Sequence, residues 1–289
     1  MSGHLIVSSP PPPEARRLQQ RAPRLTTDTH FHIFGPTDIY PLSPMRMYDP
    51  AFSPVASYLE MAGAIGIERM VVVQASIYGT DNRCLVDAIK QFGRHRARGI
   101  CVVDQSTTRE EFLALHDAGV RGIRFNAITG RTPIEWLPDL ASIIEPLGWH
   151  IQLWIKSDLL LKIRPILERL TLPIVIDHMG QFPVDEGLES AEFQNIIHLL
   201  RHDRFWIKLV GYRVSKLPPD FADINKAART MIEVAPDRCL WGSDWPHIYL
   251  EGRPMPNTSD LFENMRSWMS YDEAQKVFVE NPARLYGFS

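Results

Sequence analysis

The chain has 289 residues, 45% hydrophobic and 22% charged, a composition typical of a globular protein with one large barrel or two modest domains. Its formal net charge of -3 and its pI near 6.4 argue against nucleic acid or an anionic membrane surface as a partner. Three widely spaced cysteines without a C-x-x-C pattern argue against a disulfide framework or a thiolate zinc site. The expected partner is a small molecule.

Residues 1–24 contain four consecutive prolines, at positions 10–13, followed by a polar stretch with several arginines. This composition predicts a flexible, proline-rich N-terminal tail. No apolar run approaches the ~20 residues that span a bilayer, and residues 5–7 are too short for the apolar part of a signal peptide. We therefore expect a cytoplasmic protein without a membrane partner, and a homo-oligomer is one of the assembly states that the sequence leaves open.

From residue 25 onward, short apolar runs alternate with longer amphipathic stretches, which is the pattern of repeated strand–helix units. The candidate strands number eight: 25–33, 69–75, 98–104, 120–126, 149–155, 173–178, 205–210 and 238–243. Helical patterns lie at 55–65, 81–93, 109–118, 137–147, 158–169, 190–202, 221–235, 259–269 and 272–280. We therefore predict an α/β protein in which residues 25–289 form a single (β/α)8 TIM-like barrel, with its chemistry at the C-terminal ends of the strands.

Polar residues fall at those strand ends. His30 and His32 end the first run, and their two-residue spacing predicts that both side chains project from one face. Later strands end in Ser76, Arg124 and Asn126, Trp154 and Lys156, His178, Lys208 and Arg213, and Asp244. Residues with only structural roles would be divided between the two barrel ends, so this concentration on one rim favours an enzyme.

Three histidines and Asp244 allow two kinds of hydrolytic site. In one, His30, His32, His178 and Asp244 hold a divalent ion such as zinc or manganese that activates water. In the other, no cofactor is needed, because Asp244 takes a proton from water while histidines stabilise the oxyanion. Arg124, at a strand end where other sites offer a second set of metal ligands, argues against a binuclear centre.

The arginines indicate an acidic substrate. Arg124, Arg131 and Arg213 are all predicted near the barrel mouth, where guanidinium groups can grip carboxylates through paired hydrogen bonds. For Arg131 and Arg213, which lie in predicted loops, solvation at the surface is an equal alternative. Arg124 is embedded among apolar residues, so it requires an anionic partner.

Five motifs in this order resemble the amidohydrolase superfamily, and within it the branch of 2-pyrone-4,6-dicarboxylate lactonases. They are Thr27-Asp28-Thr29-His30-Phe31-His32, Gln74-Ala75-Ser76, Arg121-Gly122-Ile123-Arg124-Phe125-Asn126, Val175-Ile176-Asp177-His178-Met179-Gly180 and Trp241-Gly242-Ser243-Asp244-Trp245-Pro246-His247. The resemblance runs from about residue 25 to Asn281-Pro282-Ala283-Arg284-Leu285-Tyr286. It implies a barrel of the amidohydrolase type and hydrolysis of a lactone without a metal.

The resemblance also implies residue roles. Asp244 would activate water, and His30, His32 and His178 would polarise the lactone carbonyl. The substrate's carboxylates would be held by Tyr48, Ser76, Arg124, Arg131 and Arg213. Two positions depart from the branch: Trp154 stands where it has a tyrosine, and Gln181 where it has an arginine. The resemblance therefore predicts the type of reaction better than it predicts that the substrate is a pyrone dicarboxylate.

The leading hypothesis is a metal-independent lactonase of aromatic-compound catabolism that acts on a small anionic lactone. The alternatives within the same site are a mononuclear-metal hydrolase, a nonoxidative decarboxylase of an aromatic or unsaturated acid, and a lactone isomerase. A binding protein without activity is disfavoured, because gathering ionisable groups at one rim costs stability. Lys208 is assigned no catalytic role, and His247 is interpreted chiefly as a residue that orients the loop after Asp244.

Overall fold

The computed structural model describes residues 6–7, 11–128, 132–248, 250 and 254–289. Its main sheet has eight strands whose order in space follows their order in the chain, and all neighbouring pairs are parallel. We number them β1 (Thr27–Phe31), β2 (Arg69–Val73), β3 (Ala97–Cys101), β4 (Val120–Asn126), β5 (His150–Trp154), β6 (Ile174–Ile176), β7 (Phe205–Lys208) and β8 (Cys239–Leu240). The predicted (β/α)8 barrel is confirmed.

One helix follows each strand and packs on the outside of the barrel. These are α1 (Val55–Ile65), α2 (Arg83–Phe92), α3 (Arg109–Ala118), α4 (Leu137–Ile144), α5 (Ser157–Leu167), α6 (Ala191–Leu200), α7 (Asn225–Val234) and α8 (Thr258–Ser267). The predicted helix 272–280 is divided into α9 (Tyr271–Gln275) and a π-helical turn (Lys276–Glu280), which α10 (Asn281–Tyr286) follows. No described helix combines the length and apolarity needed to cross a lipid bilayer.

The strands are apolar on both faces, because one face fills the barrel and the other meets the helices. In β2, Val71 and Val73 belong to the interior cluster, while Met70 and Val72 belong to the larger core beneath the helices. The interior cluster also contains Tyr286 and Phe288 from the C-terminal segment. Arg98 holds that segment by donating to the carbonyls of Tyr286 and Gly287, so the N-terminal end of the barrel is covered.

Residues 11–24 lie against α8 without forming a helix or strand of their own. The Asn257 amide donates to the carbonyl of Glu14 (3.1 Å), and the Ser259 hydroxyl donates to the carbonyl of Arg16 (2.7 Å). Earlier in the chain, Ile6–Val7 pairs in parallel with Tyr48–Asp49. The flexibility of residues 1–24 and the boundary at residue 25 stay predictions.

Strands β1 and β8 close the barrel where the first motif meets the last. The backbone N–H of Asp244 donates to the carbonyl of His30 (2.7 Å), and that of His32 donates to the carbonyl of Trp245 (2.8 Å). The register of β1 against β2 shifts between Asp28 and Phe31, as in a bulge, which is a common device for re-aiming side chains next to active sites. Gly242 permits the close approach, because a Cβ there would lie 2.5 Å from the Cβ of His30.

Gly242→Ala is expected to destabilise the protein, because the added methyl group would overlap both the Cβ and the backbone nitrogen of His30. Overpacking of this kind costs about 1–3 kcal/mol of unfolding free energy. The matched control is Gly63→Ala on the exposed side of α1, where an added Cβ meets nothing within 4 Å. That change is expected to stabilise by about 0.5–1 kcal/mol. Urea unfolding of both variants measures the difference, and equal stability of the wild-type protein and Gly242→Ala would contradict the close-approach argument.

Candidate active site

Four ionisable side chains meet at the C-terminal end of the barrel: His30, His32, His178 and Asp244, which we call the four-group cluster. The Nε2 atoms of His30 and His32 each lie 3.6 Å from Oδ1 of Asp244. The ring of His178 lies with its centroid 4.8 Å from that of His30. All four side chains are almost fully buried. The structure therefore brings together every residue predicted to act on water or on the carbonyl.

Asp28 fixes the geometry of the β1–β8 junction from behind the cluster. Its Oδ1 accepts from the backbone N–H groups of His30 (3.0 Å) and Ser243 (2.9 Å). Its Oδ2 accepts from the hydroxyls of Tyr58 (3.0 Å) and Ser243 (2.5 Å). One buried carboxylate thus ties the residue before Asp244 to the histidine that faces Asp244.

His32 has a defined tautomer. Its Nδ1 lies 2.8 Å from the backbone carbonyl oxygen of Val73, which can only accept, so Nδ1 carries the proton. Burial lowers the pKa of His32, although Asp244 opposes this shift, and the ring is therefore neutral near pH 7. A neutral ring protonated at Nδ1 presents a bare Nε2 to the cluster. This nitrogen is an acceptor of a proton or hydrogen bond, or a ligand for a cation.

Asp244 uses its two carboxylate oxygens differently. Oδ2 accepts from the Tyr212 hydroxyl (2.6 Å) and from Nε of Arg213, whereas Oδ1 faces the histidines and has no hydrogen-bond partner among the described residues. Burial alone would raise the pKa of Asp244, but the Arg213 guanidinium beside it holds the pKa well below its usual value. Asp244 is therefore an ionised carboxylate with one engaged oxygen and one open oxygen.

His178 follows β6 in a tight turn. Its φ of 50° lies in the left-handed region, as do those of Met179 (53°) and Gln181 (49°), and such conformations of non-glycine residues cluster at functional sites. Neither ring nitrogen of His178 has a hydrogen-bond partner within the described part of the chain. Burial lowers the pKa of His178 to about 3, so the ring is neutral and offers one N–H and one lone pair to the cluster.

Two arginines and a tryptophan stand beside the cluster. The guanidinium carbons of Arg124 and Arg213 lie 5.0 and 5.8 Å from the centre of the Trp154 ring, distances typical of cation–π contacts. Arg124 is buried, and its Nε lies 3.4 Å from Oδ2 of Asp177, which supplies the anionic partner that the sequence required. Arg213 supports Asp244 and also donates through Nη2 to the carbonyl of Ile248 (3.0 Å).

The remaining predicted site residues occupy the same rim. Tyr48 is buried, and its hydroxyl lies beside Ser76, which begins the turn after β2. Gln181 ends the turn that begins at His178. His247 is buried, and its Nε2 lies 2.9 Å from the Thr258 hydroxyl at the start of α8, which fits the expected role in orienting the loop. Arg131 lies outside the described residues.

Sequence reasoning missed a buried polar layer directly beneath the cluster. It consists of Gln152, Asp177 and Lys208, all fully buried, and Tyr212 was likewise missed as a partner of Asp244. The amide of Gln152 donates to Oδ2 of Asp177 (3.0 Å), and its oxygen accepts from Nζ of Lys208 (2.7 Å). The sequence could have indicated Gln152, because it lies two positions before Trp154 and its side chain is therefore on the same face of β5.

The four-group cluster has a donor set that fits one divalent metal ion. Single ligand atoms of His30, His32 and Asp244 lie within 4.8 Å of one another, and those of His30, Asp177 and His178 form a second such group. The orphaned Oδ1 of Asp244 and the bare Nε2 of His32 are suited to a cation, and they are equally suited to the two hydrogens of a water molecule. The arrangement can therefore activate water in either way.

The amidohydrolase family model matches residues 27–288. The chain is 36% identical over 282 residues to the 2-pyrone-4,6-dicarboxylate hydrolase of Comamonas testosteroni, covering 93% of this chain and 92% of that protein. It is 34% identical over 275 residues to the 4-sulfomuconolactone hydrolase of Hydrogenophaga intermedia, covering 90% and 88%. A probable 2-pyrone-4,6-dicarboxylic acid hydrolase from Acinetobacter baumannii, solved with citric acid bound, superposes with a TM-score of 0.79 at 28% identity, over 91% of this chain and 100% of that one.

These findings confirm the resemblance drawn from the five motifs. The family match begins at Thr27, the first residue of β1, and ends within two residues of the C-terminus. It therefore includes all eight strands and every member of the four-group cluster. The chain belongs to the amidohydrolase family of enzymes.

Proposed function

We propose that the protein hydrolyses the ring ester of a small carboxylated lactone, with Asp244 as the general base. The observation that carries this proposal is the open Oδ1 of Asp244, which lies 3.6 Å from Nε2 of both His30 and His32 while the other oxygen is held by Tyr212 and Arg213. A general base must be ionised and within reach of the proton it takes, and Asp244 has both properties. The names of the relatives, which are lactone hydrolases, support the reaction class.

In the proposed first step, water is oriented between two acceptors. One of its hydrogens is donated to Oδ1 of Asp244 and the other to the bare Nε2 of His32. This assignment differs from the expectation that all three histidines polarise the carbonyl, because a neutral His32 that donates through Nδ1 to Val73 has no second proton to offer. The lone pair of the water oxygen is then directed away from both acceptors and toward the substrate carbonyl.

The carbon–oxygen bond forms as Asp244 accepts the proton, and the carbonyl oxygen becomes an oxyanion. The N–H groups of neutral His30 and His178 stabilise that charge in a site without bulk water. Collapse of the tetrahedral intermediate breaks the ring carbon–oxygen bond. The leaving oxygen receives the proton held by Asp244, so one lactone and one water give one ring-opened acid that carries an enol or alcohol.

Arg124 and Arg213 would bind the substrate's carboxylate beside Trp154, with Tyr48, Ser76 and Gln181 completing that side of the pocket. The bound citric acid in the solved relative supports recognition of a carboxylate. Trp154 stands where the lactonase branch has a tyrosine hydroxyl, and Gln181 stands where that branch has a positively charged arginine. We therefore propose a substrate that resembles 2-pyrone-4,6-dicarboxylate in its ring ester but presents fewer anionic groups to this face of the pocket.

The second candidate is a hydrolase or nonoxidative decarboxylase that uses one divalent ion. His30, His32, His178 and Asp244 would hold the ion, which would lower the pKa of a bound water toward ~7 and polarise a carbonyl. The metal-free proposal is favoured because positive charge already surrounds the site: Arg213 engages Asp244, and the cationic Arg124 lowers the pKa of His32. A further positive charge at this position would be opposed by both guanidinium groups.

Asp244→Asn is expected to lower turnover by about 10³-fold or more, because general bases contribute 10²–10⁴-fold and the amide cannot accept the proton. KM is expected to stay within about threefold, since the arginines that bind the carboxylate remain. Initial rates on pyrone, muconolactone and sugar-acid lactones that carry a carboxylate test this. Asp203→Asn, at an exposed position where the carboxylate accepts from Arg238, is the matched control and should keep full turnover. Retained activity in Asp244→Asn would rule out its role as base.

The pH profile separates the two candidates. The folded-state pKa of Asp244 is well below its usual value and that of His178 is about 3, so the base stays ionised and the histidine neutral down to pH 5. Neither Asp244 nor His178 should therefore add a limb to kcat/KM between pH 7 and pH 5, and activity that depends on Asp244 is lost only as the pH falls through its depressed pKa. Burial raises the pKa of Asp28 to about 6, so protonation of this clamp is the one change in the support of the cluster expected within that window.

The profile is measured on protein of known metal content, before and after treatment with a chelator, with circular dichroism to confirm the fold at each pH. An acid limb near pH 7, together with loss of activity on chelation and its return with zinc or manganese, would contradict the metal-free mechanism. A profile without a limb near pH 7 that the chelator does not change is the expected result.

A further inference from the structure

Lys208 is a fully buried cation at the end of β7, and it points into the barrel beneath the four-group cluster. Its Nζ donates to the carbonyl of Thr29 (2.7 Å) and to Oε1 of Gln152 (2.7 Å), and it lies 3.4 Å from Nδ1 of His30. An ammonium has three donors and no lone pair. Three acceptors lie within hydrogen-bond distance and match the three N–H groups, and the third is the ring of His30. Oδ1 of Asp177 is farther from Nζ, at 3.9 Å.

Asp177 competes with Lys208 for the same ring nitrogen. Its Oδ1 lies 3.3 Å from Nδ1 of His30, so the distances alone do not decide which partner the nitrogen faces. Direction does, because an imidazole N–H lies in the ring plane and a hydrogen bond weakens steeply away from a straight line. The approach of Lys208 to Nδ1 satisfies hydrogen-bond geometry, whereas the contact between Nδ1 and Oδ1 of Asp177 is close but lacks that geometry.

The other contacts of Asp177 explain why Lys208, and not Asp177, is the hydrogen-bond partner of His30 Nδ1. Its Oδ2 accepts from the Gln152 amide (3.0 Å) and from Nε of Arg124 (3.4 Å). Gln152 therefore has a fixed orientation, since its amide nitrogen serves Asp177 and its oxygen serves Lys208. This chain of contacts holds the carboxylate on its Oδ2 side and holds the ammonium next to His30.

We propose that Lys208 is a positioning residue that fixes the tautomer of His30, by donating to Nδ1 and so placing the ring proton on Nε2, inside the active site. His30 then donates to the cluster, whereas His32, whose Nδ1 donates to Val73, accepts from it. Two histidines on the same strand thereby have opposite roles: one stabilises the oxyanion and the other orients the water. This inference rests on the proposed function for its catalytic consequence, but the tautomer itself is measured without any substrate.

The direct test is nitrogen-15 NMR of protein labelled at histidine, in which protonated and bare ring nitrogens resonate in separate ranges. The His30 signals are assigned by their loss in His30→Gln. The wild-type spectrum near pH 7 should show His30 protonated at Nε2 and bare at Nδ1, and the reverse pattern for His32. A wild-type His30 that is protonated at Nδ1 would overturn the proposal before any variant at position 208 is made.

Lys208→Met retains most of the side-chain volume and removes the donor. We expect the Nε2–H form of His30 to lose its dominance, and kcat to fall about 100-fold with KM within about threefold, as for loss of one oxyanion donor. Lys156→Met is the matched control, because Lys156 follows β5 on the same rim but is exposed, and it should leave both the spectrum and the kinetics unchanged. An unchanged His30 spectrum in Lys208→Met would refute the role of Lys208.

Asp177→Asn gives an independent result if Lys208→Met does not fold. A carboxylate can only accept from Nδ1–H, so if Lys208 sets the tautomer, His30 is protonated at Nε2 both in the wild-type protein and in Asp177→Asn. A change from the Nδ1–H pattern in the wild-type protein to the Nε2–H pattern in Asp177→Asn would assign control of the tautomer to Asp177 and overturn the proposal. Failure of the proposed function is distinguishable from failure of this inference. Full turnover in Asp244→Asn would exclude Asp244 as the general base. The His30 tautomer in the wild-type protein would still confirm or refute the contact with Lys208.

Discussion

The junction of β1 with β8 is the constraint on which the rest of the site depends. Segments more than 200 residues apart are joined by backbone hydrogen bonds, by the carboxylate of Asp28 and by the absence of a side chain at Gly242. Asp28 supports His30 and Ser243 at once, so the histidine strand and the aspartate loop move as one unit. Because both elements are fixed by buried contacts, the Nε2 atoms of His30 and His32 lie at equal distances from Oδ1 of Asp244.

Above that junction, similar side chains are given different chemical properties by what lies behind them. Asp244 is kept ionised by Arg213, while burial keeps the histidines neutral. A neutral imidazole has one donor and one acceptor, so the group behind each ring decides which of them faces the substrate. The carbonyl of Val73 decides this for His32, and we infer that Lys208 decides it for His30. The polar layer beneath the cluster thus selects whether His30 acts as a hydrogen-bond donor or as an acceptor toward the substrate.

The sequence was sufficient to predict the barrel and the four-group cluster, because both follow from local regularities. Apolar runs of strand length recur in every unit, and the polar residue that ends each run must lie at the same rim. Lys208 could not be interpreted in this way, since its importance comes from burial against Thr29 and Gln152 of other strands. Asp28 likewise belongs to a recognised motif, but its role as a clamp depends on Ser243 and Tyr58. The hydrophobic periodicity of the sequence does not determine which side chains of distant segments contact one another.

The central claim is that water attacks the carbonyl carbon of a lactone held beside Asp244. The most direct measurement is mass spectrometry of the product formed in water enriched in oxygen-18, using whichever carboxylated lactone of the panel is turned over, under single-turnover conditions. Attack at the carbonyl predicts one heavy oxygen, located in the newly formed carboxylate, and none in the enol or alcohol oxygen released from the ring. A product without heavy oxygen, as an isomerisation would give, or with the label on the released oxygen, would contradict the account.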